Sequence, residues 1–272
     1  MKYFIKVVIV WIFFIHSLYA MDKWKLNIGV MAVTDFSTQV EISPKRYPVG
    51  VMLDTAEDLG MKYDTGAFRI DGYYRLNNNH SIDFSYFGVR SGGHKISRGI
   101  EFDDYNITAG AAIDSYFNMD VYKINYGYSF YHNEKVELML TAGLHITVID
   151  LGLSATGTII DKQTGTVLNS IEDSSGDATV PLPVVGFKGE YTIVENQLFV
   201  SYRSEYFRLS FDGYYGDLIS SALSFEYRFL QHYGVACGYN ANRINVKVDD
   251  GEKIIKVRNN LSGFMLTLSY IY

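Results

Sequence analysis

Four short polar turns, each set between alternating rows of apolar and polar residues, constrain this chain more than any other feature. Tyr74 to Tyr86 turns at Asn77-Asn-Asn79, and Tyr128 to Leu140 turns around His132-Asn133. Tyr191 to Tyr202 turns over Val194–Gln197, and Tyr227 to Tyr239 turns at Gln231-His232. Each stretch reads as the end of one strand, a tight turn and the start of the next strand. Asn suits the first of these turns because it tolerates left-handed backbone conformations. Longer, polar, Gly-rich connections separate the four copies.

Short turns at one end and long loops at the other are the layout of an antiparallel up-and-down transmembrane β-barrel. Four turns account for eight strands, and a first and a last strand make ten, with eight or twelve as the alternatives. The fold class is therefore all-β. In such a barrel the apolar row of each strand faces lipid and the polar row faces the lumen. Strand one, about Trp24 to Val33, puts Trp24, Leu26, Ile28 and Val30 on one face and Lys25, Asn27 and Gly29 on the other. The clearest strand alternates Phe68, Ile70, Gly72, Tyr74 and Leu76 with Arg69, Asp71, Tyr73 and Arg75. Long connections are expected over Thr34 to about Asp64 and about Ser154 to Val180. A soluble sandwich or lipocalin-type barrel would leave apolar rows opposite polar ones on nearly every strand unexplained.

Composition excludes other classes. Hydrophobic residues make up 48% of the 272, yet only the N-terminus carries a sustained apolar run, and a membrane-spanning helix needs about 20 such residues. The 23 Tyr and 17 Phe suit strands and the aromatic girdles of a membrane interface. Residues 1–20 read as a secretory signal peptide: Lys2 and Lys6 are the basic region, Val7 to Ile15 the apolar region, and Ser17 to Ala20 the cleavage region. Residues 21–272 then form one barrel domain. A formal net charge of −6 argues against nucleic acid as a partner, since phosphate contacts need a basic surface. The lone Cys237 can form no internal disulfide.

The final strand carries Phe264, Leu266, Leu268, Tyr270 and Tyr272 on one face, ending on an aromatic residue. This pattern resembles the C-terminal assembly signal of Gram-negative outer-membrane β-barrel proteins, broadly the OmpA/OmpW-like barrel families. Leu53 to Gly60, followed by Arg69-x-Asp71-x-x-Tyr74-Arg75, is also similar to a group of uncharacterised barrels. The resemblance implies residence in the bacterial outer membrane with both chain ends periplasmic. It also implies contact with outer-membrane lipid and lipopolysaccharide, and passage through the barrel-assembly machinery and periplasmic chaperones.

The predicted lumen is highly charged. Arg69, Asp71, Arg75, Asp83, Lys123, Glu137, Lys188, Glu190, Arg203, Glu205, Glu226 and Arg228 all fall on inward rows, and His145 joins them. An interior near eight strands in size is just wide enough for side chains to fill. The charges therefore read either as the lining of a narrow, porin-like passive channel or as an ionic plug. A closed structural barrel whose long loops bind a partner or lipopolysaccharide is the second function. An outer-membrane enzyme is the third. Outer-membrane proteases of the ten-stranded type carry Asp-x-Asp and Asp-x-His pairs, and no Asp-x-His occurs here. No cofactor or metal is expected. The acidic loop clusters, such as Glu101/Asp103/Asp104, lack the EF-hand spacing for Ca²⁺.

Overall fold

The computed structural model describes residues 22–44, 53–63, 66–211, 214–249 and 253–272. The stretch read as a signal peptide lies outside them, as do most of Asp249 to Glu252 and Asp212-Gly213. Strands, in chain order, are β1 (Trp24–Pro44), β2 (Leu53–Asp54), β3 (Met61–Tyr63), β4 (Gly66–Arg75), β5 (His80–Ile96), β6 (Ile100–Phe102) and β7 (Tyr105–Ile107). There follow β8 (Ala112–His132), β9 (Val136–Asp161), β10 (Val167–Val194), β11 (Leu198–Phe211), β12 (Tyr214–Leu230), β13 (Tyr233–Asp249) and β14 (Lys253–Ile271).

Ten of these, β1, β4, β5 and β8 to β14, form a closed antiparallel ring. Closure is made by β14 against β1, from Lys25 opposite Ile271 to Pro44 opposite Lys253. The four short turns lie at the same end as the two ends of the ring. The remaining four strands are short pieces added at the opposite end, such as β2 on β1 and β7 on β9.

Two expected loops are strands instead. β1 continues past Val33 through a bulge at Val33/Asp35 and runs to Pro44. The stretch from Ser154 to Val180 is an extended β9–β10 hairpin turning between Asp161 and Val167. Both stretches are polar on their outward row, which looks like loop only if every strand is assumed to face lipid. Beyond the bilayer that requirement lapses, and Thr, Val and Ile pair as readily as elsewhere. At about 3.3 Å per residue the 28 residues of β10 would span about 90 Å. A crossing needs only about 9–11 residues, so much of this wall stands clear of the membrane.

β8 shows where the membrane ends. Its outward residues run Phe130, Tyr128, Tyr126, Ile124, Tyr122 and then Asp120, Asn118, Tyr116 and Asp114. Its buried residues run Ser129, Asn125, Lys123 and then Val121, Met119, Phe117 and Ile113. The two rows exchange character between Lys123 and Asp120. Below that level apolar side chains face out and polar ones in; above it the barrel has an ordinary water-soluble pattern. The upper interior is accordingly a packed apolar core, including Met31, Phe36, Phe87, Phe117, Ile149, Leu153 and Leu261.

The ring has one seam. β10 pairs with β11 only up to Val185 opposite Tyr206, while β11 continues along β12 to Phe211. Pro181 and Pro183 explain the break. Both are bridged to β9, which without an N–H they can be only as non-hydrogen-bonded pairs, so their nitrogens point toward β11. In this stretch the edge that lacks a ladder also lacks two donors that would otherwise go unsatisfied near lipid. Side chains close the seam: a Cβ at Gly216 would lie 2.9 Å from Phe207 and 3.1 Å from Leu182.

Candidate functional site: the lumen

Alternation places the thirteen residues expected to line the lumen on inward rows. Ten of them are joined in ion pairs across or along the wall. Arg75 on β4 meets Glu137 on β9 in a bidentate pair, Nη1 to Oε1 at 2.8 Å and Nη2 to Oε2 at 2.5 Å. Lys123 on β8 donates to Glu205 on β11 at 2.7 Å and to Ser220 at 2.9 Å. Lys188 on β10 donates to Asp83 on β5 at 3.2 Å, and Lys25 on β1 pairs with Glu226 on β12. None of these pairs joins neighbouring strands; each one reaches across the lumen between strands separated by two others. Along single strands, Arg69 pairs with Asp71 at 2.7 Å and Arg228 with Glu226 at 2.8 Å.

The other three sit beside this network. Arg203 lies 4.0 Å from Asp83. Glu190 lines a partly open pocket of about 90 Å³, bounded also by Asn27, Tyr73, Lys123, Lys188 and Arg203. His145 is fully buried, and its nearest carboxylate, Glu205, is 3.9 Å away, beyond hydrogen-bond reach. It belongs to the packing around Lys123 and Glu205.

Several participants were not singled out from the sequence. Asn27 donates to Asp71 at 2.8 Å and Asn125 to Glu205 at 2.9 Å. Tyr73 lies beneath Lys188, 4.6 Å from its ammonium, and beneath Arg75 at 5.2 Å. Asp22 pairs with Arg228 at 2.7 Å. Lys25, Asn27 and Tyr73 were visible as inward residues, but partnership across a ring cannot be read from alternation along one strand.

Outside the lumen, the C-terminal row Phe264, Leu266 and Leu268 faces outward, 62%, 56% and 66% exposed. Tyr270 and Tyr272 stack with Trp24 at 5.2 and 6.1 Å. His80 bonds Tyr126, and His232 donates from Nδ1 to the Ile271 carbonyl at 2.9 Å. His94 stands on β5 and bonds Asp114 at 2.7 Å. Both are 67% exposed on the outer wall. Among the described residues no group of three His, Cys, Asp or Glu side chains could hold a metal.

Neither family models nor curated proteins match this chain. Solved structures do. The outer membrane protease OmpT from Escherichia coli superposes with a TM-score of 0.60 at 13% identity, over 94% of this chain and 99% of that one. The transport unit of the autotransporter AIDA-I from Escherichia coli gives 0.40 at 9% identity, over 96% and 94%. The P. putida toluene transporter TodX gives 0.35 at 9%, over 93% and 91%. Likeness at such identities is one of fold. A closed ten-stranded ring with an apolar belt outside and charges within, and the fold it shares with OmpT, make this chain an antiparallel β-barrel of the outer-membrane type.

Proposed function

We propose that this protein is a closed structural and interaction barrel, not a conduit, and that its extended wall is a platform facing the medium. In this reading both chain ends and the short turns face the periplasm, and the protruding strands meet lipopolysaccharide or a partner. The observation that carries it is the cross-lumen pairing of Arg75–Glu137, Lys123–Glu205, Lys188–Asp83 and Lys25–Glu226. A porin-like lumen needs a continuous aqueous path. Here the pocket bounded by Lys123, Lys188, Lys25 and Glu226 is about 90 Å³, room for a handful of waters. Above it the interior is filled by Phe87, Val121, Met119 and Phe117, each at most 1% exposed.

An enzymatic reading draws less support. OmpT is a protease, but the Asp-x-His of that family is absent here. The His94–Asp114 pair sits on an open wall where nothing excludes water.

Single-channel recording of the folded protein in a planar bilayer tests the proposal. Folded protein is expected to give no conductance steps. Reproducible steps whose size changes on Arg75→Ala or Glu137→Ala substitution would overturn it and restore the channel.

A further inference from the structure

Four adjacent strands carry a block of cations just above the lipid belt, most of them without an ion pair among the described residues. Read across β12, β13 and β14, the outward rows above the belt edge at Leu223, Tyr239 and Phe264 begin with Ser221, Ala241 and Ser262. The next row is Ile219, Arg243 and Asn260; then come Asp217, Asn245 and Arg258; then Tyr215, Lys247 and Lys256. Arg208 on β11 extends the third row beside Asp217.

Lys247 and Lys256 stand directly opposite each other, an arrangement that destabilises a sheet unless an anion answers it. Lys256 has one, Glu41 at 2.9 Å. Arg243, Lys247, Arg258 and Arg208 make no ion pair among the described residues. Elsewhere on the wall Lys62 and Arg98 also stand exposed without an ion pair among the described residues, but singly, and other cations there are answered. Arg90, at the corresponding level of β5, is held by both oxygens of Asp120 at 2.8 Å, and Lys162 is held by Glu101 at 3.1 Å. In a chain of net charge −6, such a concentration of open cations on one side is not a product of composition.

A surface depression of about 300 Å³ lies between these cations and the belt. Its floor is made of the small residues Ala241, Ser221 and Ser262; Arg243, Asn260 and Ile219 border it above, Tyr239 below, and Asp35 lies at one side. Hydroxyls, an amide and a carboxylate suit the hydroxyl and amide groups of a sugar. Guanidinium groups suit phosphate oxygens, which they bind in forked pairs. Apolar neighbours below suit acyl chains.

We propose that this depression binds the phosphorylated sugar headgroup of an outer-leaflet glycolipid, with Arg243, Arg258 and Lys247 answering its phosphate. The inference rests on the proposed orientation, with the extended wall outside, and is independent of whether the lumen conducts. Lipid binding and conductance therefore fail separately.

The test uses the full folded protein in detergent micelles, titrated with bisphosphorylated lipid A while its thermal unfolding midpoint is followed. A ligand that binds only the folded state raises that midpoint with concentration. The midpoint should rise for the native protein, and binding should weaken by roughly a hundredfold when Arg243, Arg258 and Lys247 are all replaced by Ala. Ala241→Leu, which fills the depression and leaves every charge in place, should also weaken binding. Arg90→Ala should not. Equal binding by the triple variant would overturn the proposal. So would an equal response to fully dephosphorylated lipid A, or to inorganic phosphate alone.

Discussion

Arg75 and Glu137 stand 62 residues apart and on strands separated by two others, yet they share two hydrogen bonds across the lumen, at 2.8 and 2.5 Å. Both side chains are 9% exposed. Removing one member of such a pair leaves the other charge unanswered, which costs about 3–5 kcal/mol in a buried setting. Glu137→Ala should therefore destabilise the folded barrel by about that amount, measured from urea unfolding in lipid vesicles. Arg75→Met with Glu137→Leu should recover most of the loss, because apolar pairs of similar volume replace buried ion pairs at little net cost. If the double variant is no more stable than the single one, the pair is not acting as a unit.

The belt makes a separate prediction. Leu266 and Phe225 face outward at 56% and 45% exposure, amid Leu268, Val235, Cys237 and Tyr227. Arg at either position should destabilise by about 2–4 kcal/mol if it lies near the midplane. Asn118→Arg, on the outward row of β8 above the belt, should change stability by no more than about 0.5 kcal/mol. Equal effects at Leu266 and Asn118 would displace the membrane boundary drawn between Tyr122 and Asp120.

The contrast between those sites also explains what the sequence could and could not say. Short turns and alternation gave the ring, its ten strands and the inward side of each charged residue, because a two-residue period leaves only two faces to choose between. The length of β1, β9 and β10 was not legible in the same way, since the rule that apolar residues face out was applied along the whole chain. On β8 that rule reverses between Lys123 and Asp120. A reader following both rows at once could have found that reversal in Val121, Met119 and Phe117, which are inward and apolar. The partners within the lumen were illegible for a different reason. Lys123 meets Glu205 only because of ring closure and stagger, and neither is a local property of the residues that carry the charge.

Phe117 tests whether the upper interior is a packed core. It is fully buried, and its ring lies 5.9 Å from that of Phe36, at a tilt of 59°. Replacement by Ala should cost about 3–5 kcal/mol, the range for a large aromatic side chain lost from a close-packed interior. The loss should be felt above the membrane first, as faster backbone hydrogen exchange in the outer parts of β1, β8 and β9. A wet or open vestibule would leave exchange there unchanged.

The tip of the β9–β10 hairpin offers a pH prediction well away from the belt. The Asp161 carboxylate accepts hydrogen bonds from the Gln163 amide at 2.8 Å and the Thr164 amide at 2.9 Å. The Thr164 amide foremost, then that of Gln163, holds this carboxyl below the usual aspartate value of 3.8. A group depressed in the folded state stabilises above its unfolded pKa and loses that contribution as pH falls through its folded one. Amide protection at Gln163 and Thr164 should thus be constant from neutral pH down to about 4 and fall only below it. Asp161→Ala should show the unprotected tip at every pH, while the cross-lumen pairs far below remain undisturbed. Protection that is unchanged between pH 6 and pH 2, or a tip that stays ordered in Asp161→Ala, would mean that the backbone ladder alone, Asp161 to Thr166 at 3.0 Å, sets this turn.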